Sequence, residues 1–212
     1  MRGRFITLEG IDGAGKSTHL EWLARFLEGR GLRVIRTREP GGTAVGERLR
    51  ELMLHGGAAL HPETETLLMF AARREHIDKV IEPALASGAW VVCDRFTDAT
   101  FAYQAAGSGV SWAKIEQLER WVQDGLEPHV TVLFDIVPDV GLSRAARGKR
   151  PDRFERERVA FYERARQAYL KRARAAPNRV HVIDASRTLT DIHKELEVIF
   201  STFCSNLDYS RS

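Results

Sequence analysis

A chain of 212 residues with 43% hydrophobic and 29% charged side chains reads as one ordinary soluble domain with ample length for a core. Its 32 basic and 29 acidic side chains leave a formal charge of +3, too balanced to argue for nucleic-acid binding through an overall field. Two cysteines, Cys93 and Cys204, build neither a disulfide framework nor a metal cluster, and no apolar run is long enough to span a membrane.

The first predicted element is a strand, Phe5-Ile6-Thr7-Leu8-Glu9. No signal peptide precedes it, and with so few cysteines a cytoplasmic location is expected. The strand feeds Gly10-Ile11-Asp12-Gly13-Ala14-Gly15-Lys16-Ser17, which satisfies the phosphate-binding pattern G-x-x-x-x-G-K-[ST]. Glycines let the backbone curl so that successive N–H groups face phosphate oxygens. Lys16 would reach the β- and γ-phosphates as a point charge, and the Ser17 hydroxyl would ligate Mg²⁺. The helix that opens at Lys16-Ser17-Thr18 adds the positive end of its dipole. A merely flexible glycine turn would not explain Lys16-Ser17 on the first turn of a helix.

Residues 19–30 carry Leu20, Leu23, Ala24 and Leu27 at helical spacing, with Gly29 and Gly31 at the exit. Leu32 to Thr37 is a second short strand. The turn cluster Arg38-Glu39-Pro40-Gly41-Gly42-Thr43 follows, then a helix over 44–55 broken by Gly56-Gly57. Pro62 suits the first turn of a long helix over 62–87. Trp90-Val91-Val92-Cys93-Asp94 is an apolar run ending in a charge, the pattern of a buried parallel strand with function at its carboxyl end. Residues 96–124 read as helical with a break at Gly107-Ser108-Gly109. Val130 to Ile136 is another buried strand. Pro138 to Arg147 begins a helix that runs into a basic stretch, Arg144 to Arg153. The helix over 155–175 alternates Arg and Glu as a solvated, ion-paired face. Val180 to Asp184 is the fifth strand. Thr188 and Asp191 form a capping box for a last helix over 189–204, and a frayed tail over 205–212 is expected.

Five strand–helix alternations predict one α/β domain over 1–212. Its five-stranded parallel sheet would be covered by helices on both faces, with the active site outside the carboxyl ends of the strands. A phosphate loop alone leaves GTPase, ATPase and kinase open. No Asn-Lys-x-Asp guanine-reading segment is present. Arginines stand instead at strand ends and in loops: Arg38, Arg50, Arg73, Arg74 and Arg95, then Arg144, Arg147, Arg150 and Arg153. Phosphoryl transfer is mostly positioning plus charge neutralisation, so such a set fits it. The seven histidines form no metal pattern.

Taken together, these segments resemble the bacterial thymidylate kinases, which are P-loop nucleoside-monophosphate kinases with a short lid. The resemblance rests on Glu9 to Thr18, Arg38 to Thr43, Phe70-Ala71-Ala72-Arg73, Asp94-Arg95-Phe96 with Ala102-Tyr103-Gln104, and the basic stretch leading into Asp152-Arg153-Phe154-Glu155. They fall in family order over almost the whole chain. The resemblance implies transfer of the γ-phosphoryl group of MgATP to dTMP, and a homodimer formed through the long apolar helix. ATP would lie on Gly10 to Thr18. Asp12 would meet the acceptor sugar 3′-hydroxyl or the metal, while Glu9 reads as a loop brace. Asp94 would hold Mg²⁺ through water or orient Arg95.

Arg73 and Arg95 would clamp the acceptor phosphate, since planar guanidinium forks suit phosphate. Only one of Arg73 and Arg74 can face the site, and the family pattern favours Arg73. Phe70 would stack on the pyrimidine. The family's aromatic-to-arginine spacing is often one residue longer, which leaves Met69 as a neighbour in that contact. Arg38, Glu39 and Pro40 would help form the acceptor site, and Arg50 would donate to the thymine carbonyl. Thr100 and Gln104 would read the base edge, and Tyr103 would fill the space a ribose 2′-hydroxyl needs. Those three share a helix face. Arg144, Arg147, Arg150 and Arg153 belong to the lid, about 144–155. The phosphate loop itself holds no arginine, which matches the family branch whose catalytic arginine comes from the lid; Arg147 and Arg153 are preferred, and the choice among the four stays open. A kinase of another small acceptor and a non-catalytic nucleotide sensor are the alternatives.

Overall fold

Five parallel strands form one sheet in the order β2-β3-β1-β4-β5 in the structure, a computed structural model that describes residues 2–56, 59–145 and 153–209. β1 (Phe5–Glu9) is central, paired with β3 (Trp90–Asp94) on one side and β4 (Val130–Asp135) on the other. Covered on both faces, these three strands read as largely apolar runs rather than alternating ones, and the two interior polar positions, Thr7 and Thr131, hydrogen-bond each other at 2.7 Å. β2 (Val34–Arg38) and β5 (Val180–Asp184) are the sheet edges and carry exposed positions. The order reverses beside β1, and at that switch point a crevice opens past the carboxyl ends of the strands.

α1 (Lys16–Glu28) follows β1 across the phosphate loop. Its exit is tied by the Leu32 N–H, which donates to the Leu27 carbonyl at 3.3 Å. Leu32 therefore closes the helix end, and β2 begins at Val34 rather than at the expected Leu32. α2 (Ala44–His55) starts at Thr43, whose hydroxyl accepts from the Gly46 N–H at 2.9 Å.

The predicted helix over 62–87 is α3 (Pro62–His76), a π-helical turn (Ile77–Ile81) and α4 (Glu82–Ala86) in one run. Pro83 lacks the N–H an α-helix would use. The wide turn before it, where the Glu82 N–H donates to the Ile77 carbonyl, absorbs the mismatch. A second π-helical turn (Phe101–Gly107) continues α5 (Thr97–Thr100), and α6 (Trp112–Gln123) follows the expected break.

α7 (Pro138–Ala145) and α8 (Arg153–Ala175) flank the undescribed part of the basic stretch. Part of α8's expected solvated face is in fact its anchor to the body. Arg166 pairs with both carboxylate oxygens of Asp135 at 2.7 and 2.8 Å. Arg164 donates to the carbonyls of Ala106 at 3.1 Å and Gly107 at 3.0 Å, and Arg172 pairs with Asp98 at 2.6 Å. Alternating charge marks a polar helix face but does not say what lies opposite. α9 (Leu189–Tyr209) carries the expected cap, with the Asp191 N–H donating to the Thr188 hydroxyl at 3.2 Å. It runs past the expected end at 204, so the helix continues into the tail expected to fray. Among the described residues no helix is long and apolar enough to cross a membrane.

Candidate active site

The phosphate loop is shaped by contacts that admit no side chain. Gly10 adopts φ 138°, and a Cβ there would sit 2.5 Å from the Phe134 carbonyl oxygen. Gly13 adopts φ 80°, and a Cβ there would sit 1.9 Å from the Gly141 carbonyl oxygen of α7. Lys16 folds back along the loop, its Nζ donating to the carbonyls of Gly10 at 3.0 Å and Ile11 at 3.1 Å. Burial, reinforced by the nearby Arg95 charge, lowers the Lys16 ammonium to about 8. Ala14 is buried under the loop, while Gly15, Ser17 and Thr18 stay exposed at the start of α1.

A divalent cation fits this corner. Asp94 at the end of β3 keeps a buried Oδ1 with no hydrogen-bond partner among the described residues, and Ser17 is exposed. No cluster of three acidic, His or Cys ligands exists among the described residues. An ion here would therefore draw on phosphate oxygens and water, which is how Mg²⁺ is ordinarily held.

Beside the loop lies a cavity of about 390 Å³. Asp12 comes from the phosphate loop, Arg95 from the end of β3 and Arg73 from α3. Glu39, Pro40 and Arg50 come from the turn after β2 and from α2. Thr100, Tyr103 and Gln104 come from α5 and the π-helical turn that continues it. Leu54, Glu65, Met69, Phe96 and Ala99 complete the lining.

Arg95 has φ 71°, a left-handed conformation that costs a non-glycine residue roughly 1–2 kcal/mol. The fold over-determines that turn. The Arg95 N–H donates to the Leu8 carbonyl at 3.0 Å, the Phe96 N–H to Glu9 Oε1 at 2.7 Å, and the Cys93 thiol to the Arg95 carbonyl at 3.0 Å. The side chain is thereby aimed into the cavity. It meets Asp12 Oδ1 at 2.5 Å and lies over the Tyr103 ring at 4.6 Å. Burial pushes the Tyr103 phenol up to about 12, against the opposing pull of the Arg95 guanidinium beside it.

Arg73 is 2% exposed and is fixed from two directions. Its Nε donates to Glu39 Oε2 at 2.7 Å and its Nη2 to the Thr100 hydroxyl at 3.0 Å, while Nη1 is buried with no hydrogen-bond partner among the described residues. Arg74 turns outward to the Val122 carbonyl and Asp78. Behind Arg73, the other Glu39 oxygen meets His76 Nδ1 at 2.9 Å, and His76 Nε2 meets the Thr37 hydroxyl at 2.6 Å. Gln104 donates to Glu65 Oε1 at 2.7 Å, and Arg50 to the Pro40 carbonyl at 2.9 Å.

Two residues expected in the acceptor site do not line this cavity. Arg38 is exposed and pairs with Glu47 of α2 at 2.8 Å. Phe70 is 2% exposed and packs with Phe101, Ala105 and Ile115, so Met69, one position earlier on α3, lines the cavity instead. Arg144 is exposed and donates to the Ala185 carbonyl at 2.8 Å. Arg147, Arg150 and the Arg153 side chain lie outside the described residues. Glu65, His76, Tyr162 and Tyr169 carry contacts that sequence reading missed. Their spacings along the chain signal nothing, and only folding brings them to their partners.

Glu9 is the brace beneath the site, fully buried, accepting from the Phe96 N–H and from the Tyr169 hydroxyl at 2.9 Å. Burial raises its carboxyl to about 8, with the Asp98 charge adding to the rise. A carboxyl raised above its unfolded value holds a proton in the native state that the unfolded chain has lost. Its contribution therefore lowers stability as pH climbs from about 4.5 to about 8. Glu9→Gln keeps hydrogen-bonding atoms for Phe96 and Tyr169 and removes the titration. Urea unfolding should show the variant gaining on the parent between pH 5 and pH 8; a constant difference would mean that Glu9 does not titrate there.

A sequence model of the thymidylate kinase family matches residues 8–196. The thymidylate kinase of Methylobacillus flagellatus is 58% identical over 203 residues, covering 96% of this chain and 99% of its own. That of Nitrosomonas europaea is 59% identical over 206 residues, covering 97% and 96%. The crystal structure of thymidylate kinase from Ehrlichia chaffeensis superposes with a TM-score of 0.78 at 35% identity, over 95% of this chain and 99% of that one. Matched from the phosphate loop to the last helix by the family's own pattern, and along nearly their full length to such relatives, this chain belongs to the thymidylate kinase family.

Proposed function

We propose that the chain transfers the γ-phosphoryl group of ATP, bound as its magnesium complex, to dTMP, giving ADP and dTDP. The observation that carries this reading is Arg73, which lines the cavity with Arg95 and Asp12 beside the phosphate loop and keeps a buried Nη1 with no hydrogen-bond partner among the described residues. An unpaired buried donor is costly, and an anionic acceptor would satisfy it. The phosphate loop takes the donor triphosphate on its amides and on Lys16. Ser17 and Asp94 would hold Mg²⁺, which supplies charge neutralisation between the β- and γ-phosphates.

An acceptor phosphate oxygen attacks the γ-phosphorus, and the bond to the bridging oxygen breaks with its electron pair leaving on ADP. The acceptor is already an anion at neutral pH, so no general base is needed. Arg73 and Arg95 align it and screen its charge. Thr100, Gln104 and Arg50 would meet the pyrimidine edge, Met69 its face, and Tyr103 the deoxyribose.

A coupled ADP-release assay across dTMP, dUMP, dCMP and dGMP tests this assignment. A methyl group in an apolar pocket is worth about 1–3 kcal/mol, so dUMP should be turned over with kcat/KM lower by about 10–200-fold. A preference for dCMP or dGMP would end the thymidylate reading. The chain's sparing use of cysteine suits a cytoplasmic enzyme. We also infer a homodimer through α3, which leaves Leu67 55% exposed beside Trp121 of α6 at 79%. Light scattering that gave a monomer at micromolar concentration would remove it.

A further inference from the structure

We propose that Tyr162 is a positioning residue for Asp12. The inference rests on the reading that Asp12 faces the acceptor. The Asp12 carboxylate is held from two elements that share no chain neighbourhood. Arg95 from the end of β3 donates to Oδ1 at 2.5 Å, and the Tyr162 hydroxyl from α8 donates to Oδ2 at 2.6 Å. A carboxylate on a glycine-rich loop turns readily about its last bond. A donor on each oxygen, coming from rigid elements, defines the plane of the group.

Tyr162 is well placed to do this. Its residue is 9% exposed, with the ring edge-on to Phe161 at 5.5 Å and to Tyr103 at 6.1 Å. The helix beneath it does not drift, because Arg164, Arg166 and Arg172 tie α8 to the π-helical turn, to β4 and to α5. Two helical turns further on, Tyr169 repeats the contact, its hydroxyl donating to Glu9 Oε2 at 2.9 Å. One face of α8 therefore presents two phenols to the two carboxylates bracketing the start of the phosphate loop. The deeper pair is a brace, since Glu9 is fully buried. The outer pair lies at the cavity, where the Asp12 side chain is 48% exposed and able to meet an acceptor.

Tyr162 therefore sets where Asp12 points, and through Asp12 where the Arg95 guanidinium rests. Without the hydroxyl, Asp12 Oδ2 loses the donor that α8 supplies. Acceptor handling should suffer while the donor side is untouched.

The test is a double-mutant cycle with Tyr162→Phe and Asp12→Asn in the full chain. Tyr162→Phe should lower kcat/KM for dTMP about tenfold while KM for ATP stays within about twofold. In the Asp12→Asn background the same change should cost less than about twofold, since its object is gone. Equal losses in both backgrounds, or no loss in either, would overturn the proposal. So would a Tyr162→Phe chain that unfolds before the parent in urea and loses both substrates alike, because the hydroxyl would then be structural. An Asp12→Asn chain with full activity would overturn the acceptor role of Asp12 and this proposal with it. An impaired Asp12→Asn chain beside a silent Tyr162→Phe would overturn the present proposal alone.

Discussion

Arg73→Ala is expected to weaken dTMP handling and the fold together, and the two losses can be separated. Arg73 and Glu39 form an ion pair at 2.7 Å with side chains only 2% and 5% exposed. Removing one partner of a buried pair strands the other, typically at about 3–5 kcal/mol. Here the Glu39 carboxylate keeps His76 Nδ1 at 2.9 Å, so the lower end of that range is expected. The catalytic loss has a different origin. Without the guanidinium the acceptor phosphate loses a charge-assisted contact, and KM for dTMP should rise by about 10²-fold.

Pairing Arg73→Ala with Glu39→Gln distinguishes them. The double variant removes the stranded charge and should recover most of the stability lost in urea unfolding. Its KM for dTMP should stay high. If stability and KM recovered together, Arg73 would be a structural residue and not an acceptor ligand. Arg73→Lys should not substitute, because an ammonium cannot span Glu39, Thr100 and a phosphate as a planar fork does.

How much of this was legible beforehand follows the range of each signal. The phosphate loop was readable because its chemistry is local: glycines for the curl, a lysine and a serine on the next helical turn. The central strands were readable because burial on both faces writes itself as an apolar run. The residues around the cavity were readable only through resemblance, since nothing in the spacing of Arg50, Arg73, Arg95 and Gln104 brings them together. Phe70 and Met69 show the limit. Both are apolar, both sit on α3, and a one-residue rotation decides which lines the cavity and which enters the core. Arg38 is exposed and pairs with Glu47, a contact across nine residues that no local pattern signals. The Tyr162 contact spans 150 residues of chain, and no periodicity encodes it. The π-helical turns escaped notice because only one of them follows from a residue, Pro83, that breaks the α pattern.

Lys16→Ala should cost the most in turnover. The ammonium is the one positive side chain built into the phosphate loop, and it bonds the Gly10 and Ile11 carbonyls at 3.0 and 3.1 Å, contacts that a bound phosphate would replace. Losing a charge aimed at the transferring group lowers kcat by about 10²–10³-fold, the size seen when a single preorganised donor is removed. The perturbed titration gives a second, independent readout. In the free chain burial holds Lys16 near 8, so its charge is lost as pH rises through that value. The apparent kcat/KM for ATP should fall above about pH 8, because it reports the free enzyme. Bound phosphates favour the charged form and raise the pKa, so kcat should stay flat over the same range. Lys16→Arg cannot deprotonate there, and whatever activity it keeps should lose the alkaline fall in kcat/KM. A fall that persists unchanged in Lys16→Arg would assign the titration to another group and leave Lys16 a charged residue throughout.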